Sequence, residues 1–275
     1  MRNIQEFYDD ALVIATRAIA STSYTAFAKK IQYPNPNLTR SEKLALNLRE
    51  KHRGTSNWLE AHLVGVPDFY EPEISRFLRT LRGNLFIDIG ANRGHYSFIL
   101  SHRFKKIIAV EPYPPNQKRI ANAIKYRSKK KIILEPKAIS DKVGMTLLSE
   151  GLNDSTHSLE SDLSWKKYYG SDPDSQRSGN MIPVQTETVD SLTEKYGVAD
   201  LIKLDVEGHE FRILYGVKHF ERVKSWEIEC HDQGRKEELW SFMSENHYYP
   251  KWLDKVHLFA ERNLFYDYAH RRVIE

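Results

Sequence analysis

Leu85-Phe86-Ile87-Asp88-Ile89-Gly90-Ala91-Asn92-Arg93-Gly94 is a short apolar run that ends in a glycine-bearing turn. A run of this length without polar alternation is the pattern of a parallel strand buried on both faces. Just beyond it, Tyr96, Ile99 and Leu100 share one helical face, so the stretch reads as a strand turning into a helix. In open α/β sheets, ligands bind outside the carboxyl ends of the strands, near the point where strand order reverses. Gly90 and Gly94 let the backbone turn tightly and approach a ligand without an intervening Cβ. The helix N-terminus beyond them offers N–H groups to a carboxylate. A dinucleotide cradle would need glycine at positions 92 and 95, where the chain has Asn92 and His95, so a pyrophosphate ligand is disfavoured.

The same pattern repeats outward from this stretch. Ile107-Ile108-Ala109-Val110-Glu111 reads as a second strand, Ile120, Ala123 and Ile124 mark a helix, and Ile132-Ile133-Leu134 reads as a third strand. The alternation resumes with a strand at 201–206, a helix carrying Phe211, Leu214 and Val217, and a strand at 225–230. A helix carrying Leu239, Phe242 and Met243 follows, then strands near 249–253 and 257–260. Such alternation implies right-handed crossovers and a mostly parallel sheet with helices on both faces. Between the two halves, 145–149 and 182–189 read as extended. The polar segment 150–180 is too long for an ordinary connection and reads as a functional loop or lid, with Leu159, Leu163, Trp165, Tyr168 and Tyr169 available to pack it down.

Upstream, Ile4, Phe7, Tyr8, Ala11, Leu12, Ala15, Ala18 and Ile19 recur at helical spacing. Tyr33-Pro34-Asn35-Pro36-Asn37 breaks the chain, and Thr39-Arg40-Ser41-Glu42 has the form of a capping box. A further helix is expected to begin near Glu71-Pro72-Glu73. The chain therefore divides into a helical N-terminal extension, residues 1–70, and an α/β domain, residues 71–275.

Among the 275 residues, 40% are hydrophobic and 28% charged, which excludes a disordered chain. The formal net charge of +4 suits an anionic ligand without demanding nucleic acid. The one cysteine, Cys230, rules out an internal disulfide and a cysteine-rich zinc site, and points to a reducing, cytoplasmic setting. No apolar run approaches the roughly 20 residues of a membrane span, and Glu6, Asp9 and Asp10 spoil a signal-peptide reading.

Four further groups carry candidate chemistry. Glu111 ends the second strand and faces the crevice opened by Gly90, where a carboxylate can accept hydrogen bonds from both hydroxyls of a ribose. Ile202-Lys203-Leu204-Asp205-Val206-Glu207-Gly208-His209-Glu210 again runs from a buried strand through a glycine into a helix. This places Asp205 near a reacting centre, with Glu207 and His209 as weaker catalytic candidates. In Glu227-Ile228-Glu229-Cys230-His231-Asp232, strand alternation puts Glu227, Glu229 and His231 on one face, with His231 a candidate general base. Asp205, Glu229 and His231 could also hold a divalent metal such as magnesium if the fold gathers them. Lys125, Arg127, Lys129, Lys130 and Lys131 leave an RNA partner open.

Taken in order, Tyr70-Glu71-Pro72-Glu73-Ile74, the glycine stretch, Val110-Glu111-Pro112, Ala138-Ile139-Ser140-Asp141, Thr188-Val189-Asp190-Ser191-Leu192 and the Asp205 stretch resemble the FkbM-type methyltransferases over about residues 70–235. The resemblance implies a Rossmann-like sheet of seven strands, S-adenosylmethionine as cofactor, and transfer of methyl to oxygen on a sugar or natural-product hydroxyl. It also implies roles for individual residues. Asp88, Gly90, Asn92 and Gly94 correspond to the methionine-side loop, Glu111 to the ribose acid and Ser140 to the adenine contact; Tyr96 and Asp205 are further cofactor-binding candidates, Asp205 as a carboxylate that could attract the sulfonium. The family's Ser/Gly-rich substrate loop falls at 153–159, where this chain lacks the glycines and carries Ser155 and His157 as substrate-binding candidates. RNA methylation and non-catalytic partner binding are the rival readings.

Overall fold

The computed structural model describes residues 71–126, 129, 131–151, 157–159 and 177–263. The helices expected over 4–19 and after Thr39 lie outside the described residues, as do most of the expected lid and Ser155. Helix α1 (Pro72–Leu78) starts as read, with Pro72 in its first turn. It leads into β1 (Gly83–Ile89), α2 (His95–Ile99), β2 (Phe104–Val110), α3 (Pro114–Tyr126) and β3 (Ile132–Glu135). Strands β4 (Ala138–Ile139), β5 (Gly144–Gly151) and β6 (Arg177–Glu187) follow, then α4 (Val189–Tyr196), β7 (Leu201–Leu204) and α5 (Glu210–Gly216). The described part closes with β8 (Ser225–Glu229), α6 (Lys236–Glu245), β9 (Tyr248–Trp252) and β10 (His257–Arg262).

Seven strands form one sheet in the order β3-β2-β1-β7-β8-β10-β9. The first five pair in parallel, and β10 is antiparallel to both β8 and β9. The chain moves outward from β1 to β3, then returns to the other side of β1 at β7. The reversal of strand order thus falls between β1 and β7, and the crevice at their carboxyl ends receives Gly90 and Asp205. One face of the sheet packs Ile87, Ile89, Ile202, Leu204 and Ile228 against α4, α5 and α6. The other packs Phe86, Ile107, Leu201 and Phe259 against α1, α2 and α3. This is the Rossmann-like sheet of seven strands, with helices on both faces, that the sequence implies.

Three features depart from the sequence reading. The two ends of segment 150–180 are strand, because β5 continues to Gly151 and β6 begins at Arg177. With β4 they make a second, three-stranded sheet, order β4-β6-β5. Val189 opens α4 rather than closing a strand: the Thr188 hydroxyl accepts from the Ser191 N–H at 3.1 Å, a capping box over a helix too short to show a clear period. Third, the main sheet is not apolar throughout. Asp88, Lys203 and Glu227 stand side by side on adjacent strands, each no more than 1% exposed. Among the described residues, no helix is long and apolar enough to cross a membrane.

Candidate active site

The turn after β1 is shaped by what lies against it. Gly90 has φ +78°, and a Cβ there would sit 1.7 Å from the Asp205 carbonyl oxygen, so the end of β7 can approach only a glycine. The Gly90 and Ala91 N–H groups donate to the Val110 carbonyl at 3.1 and 3.0 Å, which ties the turn to β2. Asn92 is left-handed at φ +52°. Its N–H donates to Glu111 Oε2 at 2.7 Å, and its side-chain oxygen accepts from Asn116 Nδ2 at 3.0 Å. Gly94, also left-handed, precedes α2 and packs against Phe98 and Ile120.

Glu111 is 4% exposed and also accepts the Tyr113 N–H on Oε1 at 2.7 Å. Burial pushes its carboxyl up to about 8, against the pull of these two N–H donors. Each oxygen keeps a lone pair for a further donor. A cleft opens here, with about 650 Å³ of empty space that runs out into open solvent. Ile89, Gly90, Asn92 and Glu111 line one side. Pro112, Ala138, Ile139, Leu148 and Leu159 give an apolar wall, and Asp205, Val206 and Glu207 close the far end. His157 joins this lining, with its ring 3.7 Å from that of Tyr113 and its Nδ1 accepting the Gly151 N–H at 3.0 Å. The Ser158 hydroxyl donates to the Glu207 carbonyl at 2.7 Å, so the middle segment is pinned to the loop after β7.

At the far end, buried Lys203 donates to Asp205 Oδ2 at 2.8 Å and lies 4.8 Å from the Tyr96 ring centroid. Burial opposes charge on Asp205, yet Lys203 and His231 outweigh it and hold the carboxyl below the usual range. His231 Nδ1 meets Glu210 Oε1 at 2.8 Å, while Nε2 faces Glu207 at 3.4 Å, Glu229 at 3.7 Å and Asp205 at 3.9 Å. Burial works against its proton, but Glu210, Glu207 and Glu229 raise its pKa well above that of an ordinary histidine. The charged form of His231 is therefore the one this carboxylate ring favours. Glu207 holds a left-handed backbone, φ +54°, the kind of strain that collects at functional sites.

Gly90, Asn92, Glu111, His157, Asp205 and Glu207 come together along one cleft, and His231 stands directly behind Asp205 and Glu207. Asp88 does not reach the cleft lining. Its Oδ2 accepts the Ser97 N–H at 2.9 Å and the Ser97 hydroxyl at 2.6 Å, which anchors α2 to the sheet. Gly94 and Tyr96 likewise shape α2 without lining the cleft; the Tyr96 hydroxyl donates to Glu71. Ser140 donates to Asp141 at 2.9 Å and meets His209 Nε2 at 3.0 Å, so the two brace each other beneath the wall formed by Ala138 and Ile139. Sequence reasoning passed over Lys203, Glu71 and His257. Lys203 left a signal, a lysine inside an otherwise apolar strand, whereas Glu71 and His257 gave none, because they meet the others only across elements distant in sequence.

The family model described as Methyltransferase FkbM domain matches residues 88–260, and the chain belongs to that family of methyltransferases. No curated protein matches the chain. Among solved structures, it is similar to a precorrin-6y C5,15-methyltransferase from Geobacter metallireducens, at 12% identity and TM-score 0.44, over 73% of this chain and 98% of that one. It is also similar to M. capricolum TrmK in complex with S-adenosyl-homocysteine, at 10% identity and TM-score 0.36, over 69% and 67% of the two chains. A methyltransferase from Geobacter sulfurreducens shows 9% identity and TM-score 0.36, over 82% and 93%.

Proposed function

We propose that the chain is an S-adenosylmethionine-dependent O-methyltransferase acting on a hydroxyl of a sugar or natural product, in the cytoplasm. The domain responsible runs from residue 71, with residues 1–70 an extension. The observation that carries this reading is a buried carboxylate, Glu111, set beside a glycine turn in a cleft that ends at Asp205 and Glu207. The donor set fits the cofactor: Glu111 for the ribose hydroxyls, the Gly90–Asn92 turn for the methionine end, and Pro112, Ile139, Leu148 and Leu159 for the adenine faces. When bound, S-adenosylmethionine supplies a methyl group on a positively charged sulfur.

Asp205, fixed by Lys203, presents negative charge to the sulfur end and takes the proton of the acceptor hydroxyl. Glu207 and His157 border the space left for the acceptor, and Ser158 holds that border closed. Most of the acceleration comes from alignment, which these fixed side chains supply. Lys131, one of the basic residues that left RNA open, donates its ammonium to the Phe104 carbonyl at 3.0 Å.

Asp205→Asn is expected to lower turnover by ~10²–10⁴-fold with S-adenosylmethionine affinity within a few-fold of wild type. Glu207→Gln is the companion variant: if it alone loses turnover, the proton goes to Glu207, and if neither does, this end of the cleft is not the reacting centre. A second expectation concerns pH. A ribose hydroxyl donates to the ionised form of Glu111, whose pKa stands at about 8, so affinity rises with pH up to that value and levels off above it. The slope below it approaches about tenfold per unit. Adenosine, which does not titrate between pH 6.5 and 9, is the ligand to use; equal affinity across the range would show that Glu111 does not receive the ribose.

A further inference from the structure

The partly buried polar cluster behind the cleft holds more acid than its bases answer. Glu71, Asp205, Glu207, Glu210, Glu227 and Glu229 are met by Lys203, His231 and His257. Within it, two histidines are set in matching ways. His231 is held at Nδ1 by Glu210 at 2.8 Å, which turns Nε2 toward Glu207 Oε2, Glu229 Oε1 and Asp205 Oδ1 at 3.4 to 3.9 Å. His257 is held at Nδ1 by Asp254 at 2.9 Å, which turns Nε2 toward Glu71 Oε2 and Glu229 Oε2, each at 3.6 Å.

A carboxylate on one ring nitrogen, with the other aimed at a set of oxygens, is how proteins orient a histidine that ligates a metal. The spacings are too long for hydrogen bonds. They suit atoms that share an ion at about 2.1–2.2 Å from each. Glu229 turns one oxygen to each histidine. Two buried groups lack a hydrogen bond: His257 Nε2, although the residue is 3% exposed, and both carboxylate oxygens of Glu227, fully buried beside Lys203. Leaving a buried ring nitrogen without a hydrogen bond is costly, and an ion held at His257 Nε2 removes that cost.

We infer that the chain binds a pair of divalent cations bridged by Glu229, one held by Asp205, Glu207 and His231 and the other by Glu71 and His257. A mixed set of imidazole and carboxylate without thiolate suits manganese, iron(II) or zinc better than calcium. The first position adjoins the cleft through Asp205 and Glu207, where an open coordination site would take an acceptor oxygen. Cation binding stands apart from methyl transfer, since it needs neither the methyl donor nor turnover to be seen.

The test uses the full chain, stripped with a chelator and titrated with manganese(II) chloride without any methyl donor. Electron paramagnetic resonance reads free ion by its six-line signal and bound ion by difference. Wild type is expected to bind two ions per chain and, when loaded, to show the spectrum of a coupled pair. His231→Gln and His257→Gln should each bind one, Glu229→Gln should weaken both sites by at least tenfold, and the surface control His219→Gln should still bind two. Near-ultraviolet circular dichroism shows whether each variant is folded, and the coupled spectrum of wild type needs no variant at all. One ion or none in wild type, or two uncoupled ions unaffected by Glu229→Gln, overturns the inference. Titration of the same samples with S-adenosylmethionine reports separately on the methyltransferase reading.

Discussion

Glu111→Ala is expected to lower affinity for S-adenosylmethionine by ~10²–10⁴-fold, the largest effect on binding of any single side chain in the cleft. Two hydrogen bonds from ribose to an ionised acceptor are each worth about 1.5–3 kcal/mol, and tenfold in affinity corresponds to about 1.4 kcal/mol. The change also removes the acceptor for the Asn92 and Tyr113 N–H groups, so the turn that faces the methionine end loses its anchor together with the ribose contact. Glu111→Gln separates the two effects, because it keeps an oxygen for one N–H while giving up the charge. Isothermal titration with S-adenosylmethionine and, as a contrast, NAD is the measurement. Unchanged affinity in both variants would remove Glu111 from the cofactor site, and comparable binding of NAD would reopen the dinucleotide reading.

Gly90→Ala is expected to destabilise the domain by about 4 kcal/mol or more, the class of effect reserved for strain and steric conflict in a packed site. The residue is left-handed at φ +78°, which costs an alanine about 1–2 kcal/mol. Its Cβ would then lie 1.7 Å from a backbone oxygen of residue 205, a group at the end of a central strand that no side-chain rotation can move aside. At 2–4 °C per kcal/mol for a domain of this size, the melting temperature falls by about 8 °C or more. Gly94→Ala is the internal contrast: its nearest contacts would be the Phe98 ring at 3.2 Å and Ile120 at 3.3 Å, which can give way, so the smaller loss belongs there. Equal melting temperatures for the two variants would mean that β7 does not press on the turn.

The glycine turn, Glu111 and the order of alternating elements were legible because each is local. A strand that ends in glycine and opens a helix leaves its mark in consecutive residues, and Glu111 follows at a separation set by one strand–helix unit. Asp88 shows the limit of that reasoning. Its place in the motif marks the loop, but the side chain turns away to the Ser97 N–H and hydroxyl, a choice made by the packing of α2. Ser140 and His209, read as an adenine contact and a catalytic candidate, meet each other instead, across a separation of 69 residues. The three-stranded sheet escaped notice because β4 is two residues long and pairs with β6, which lies beyond the polar segment.

By itself the sequence determined a parallel α/β sheet, its switch point, and the glycine and acid that face the crevice there, since hydrophobic period and turn chemistry are properties of neighbouring residues. Only the three-dimensional packing brings Lys203, Glu227, Glu229, His231, His257 and Glu71 into one partly buried cluster. Strand order brings β7, β8 and β10 side by side, although 257 and 71 stand far apart along the chain. Charges drawn together in this way interact through a medium that screens them poorly, so each acquires a character that no single position in the sequence carries.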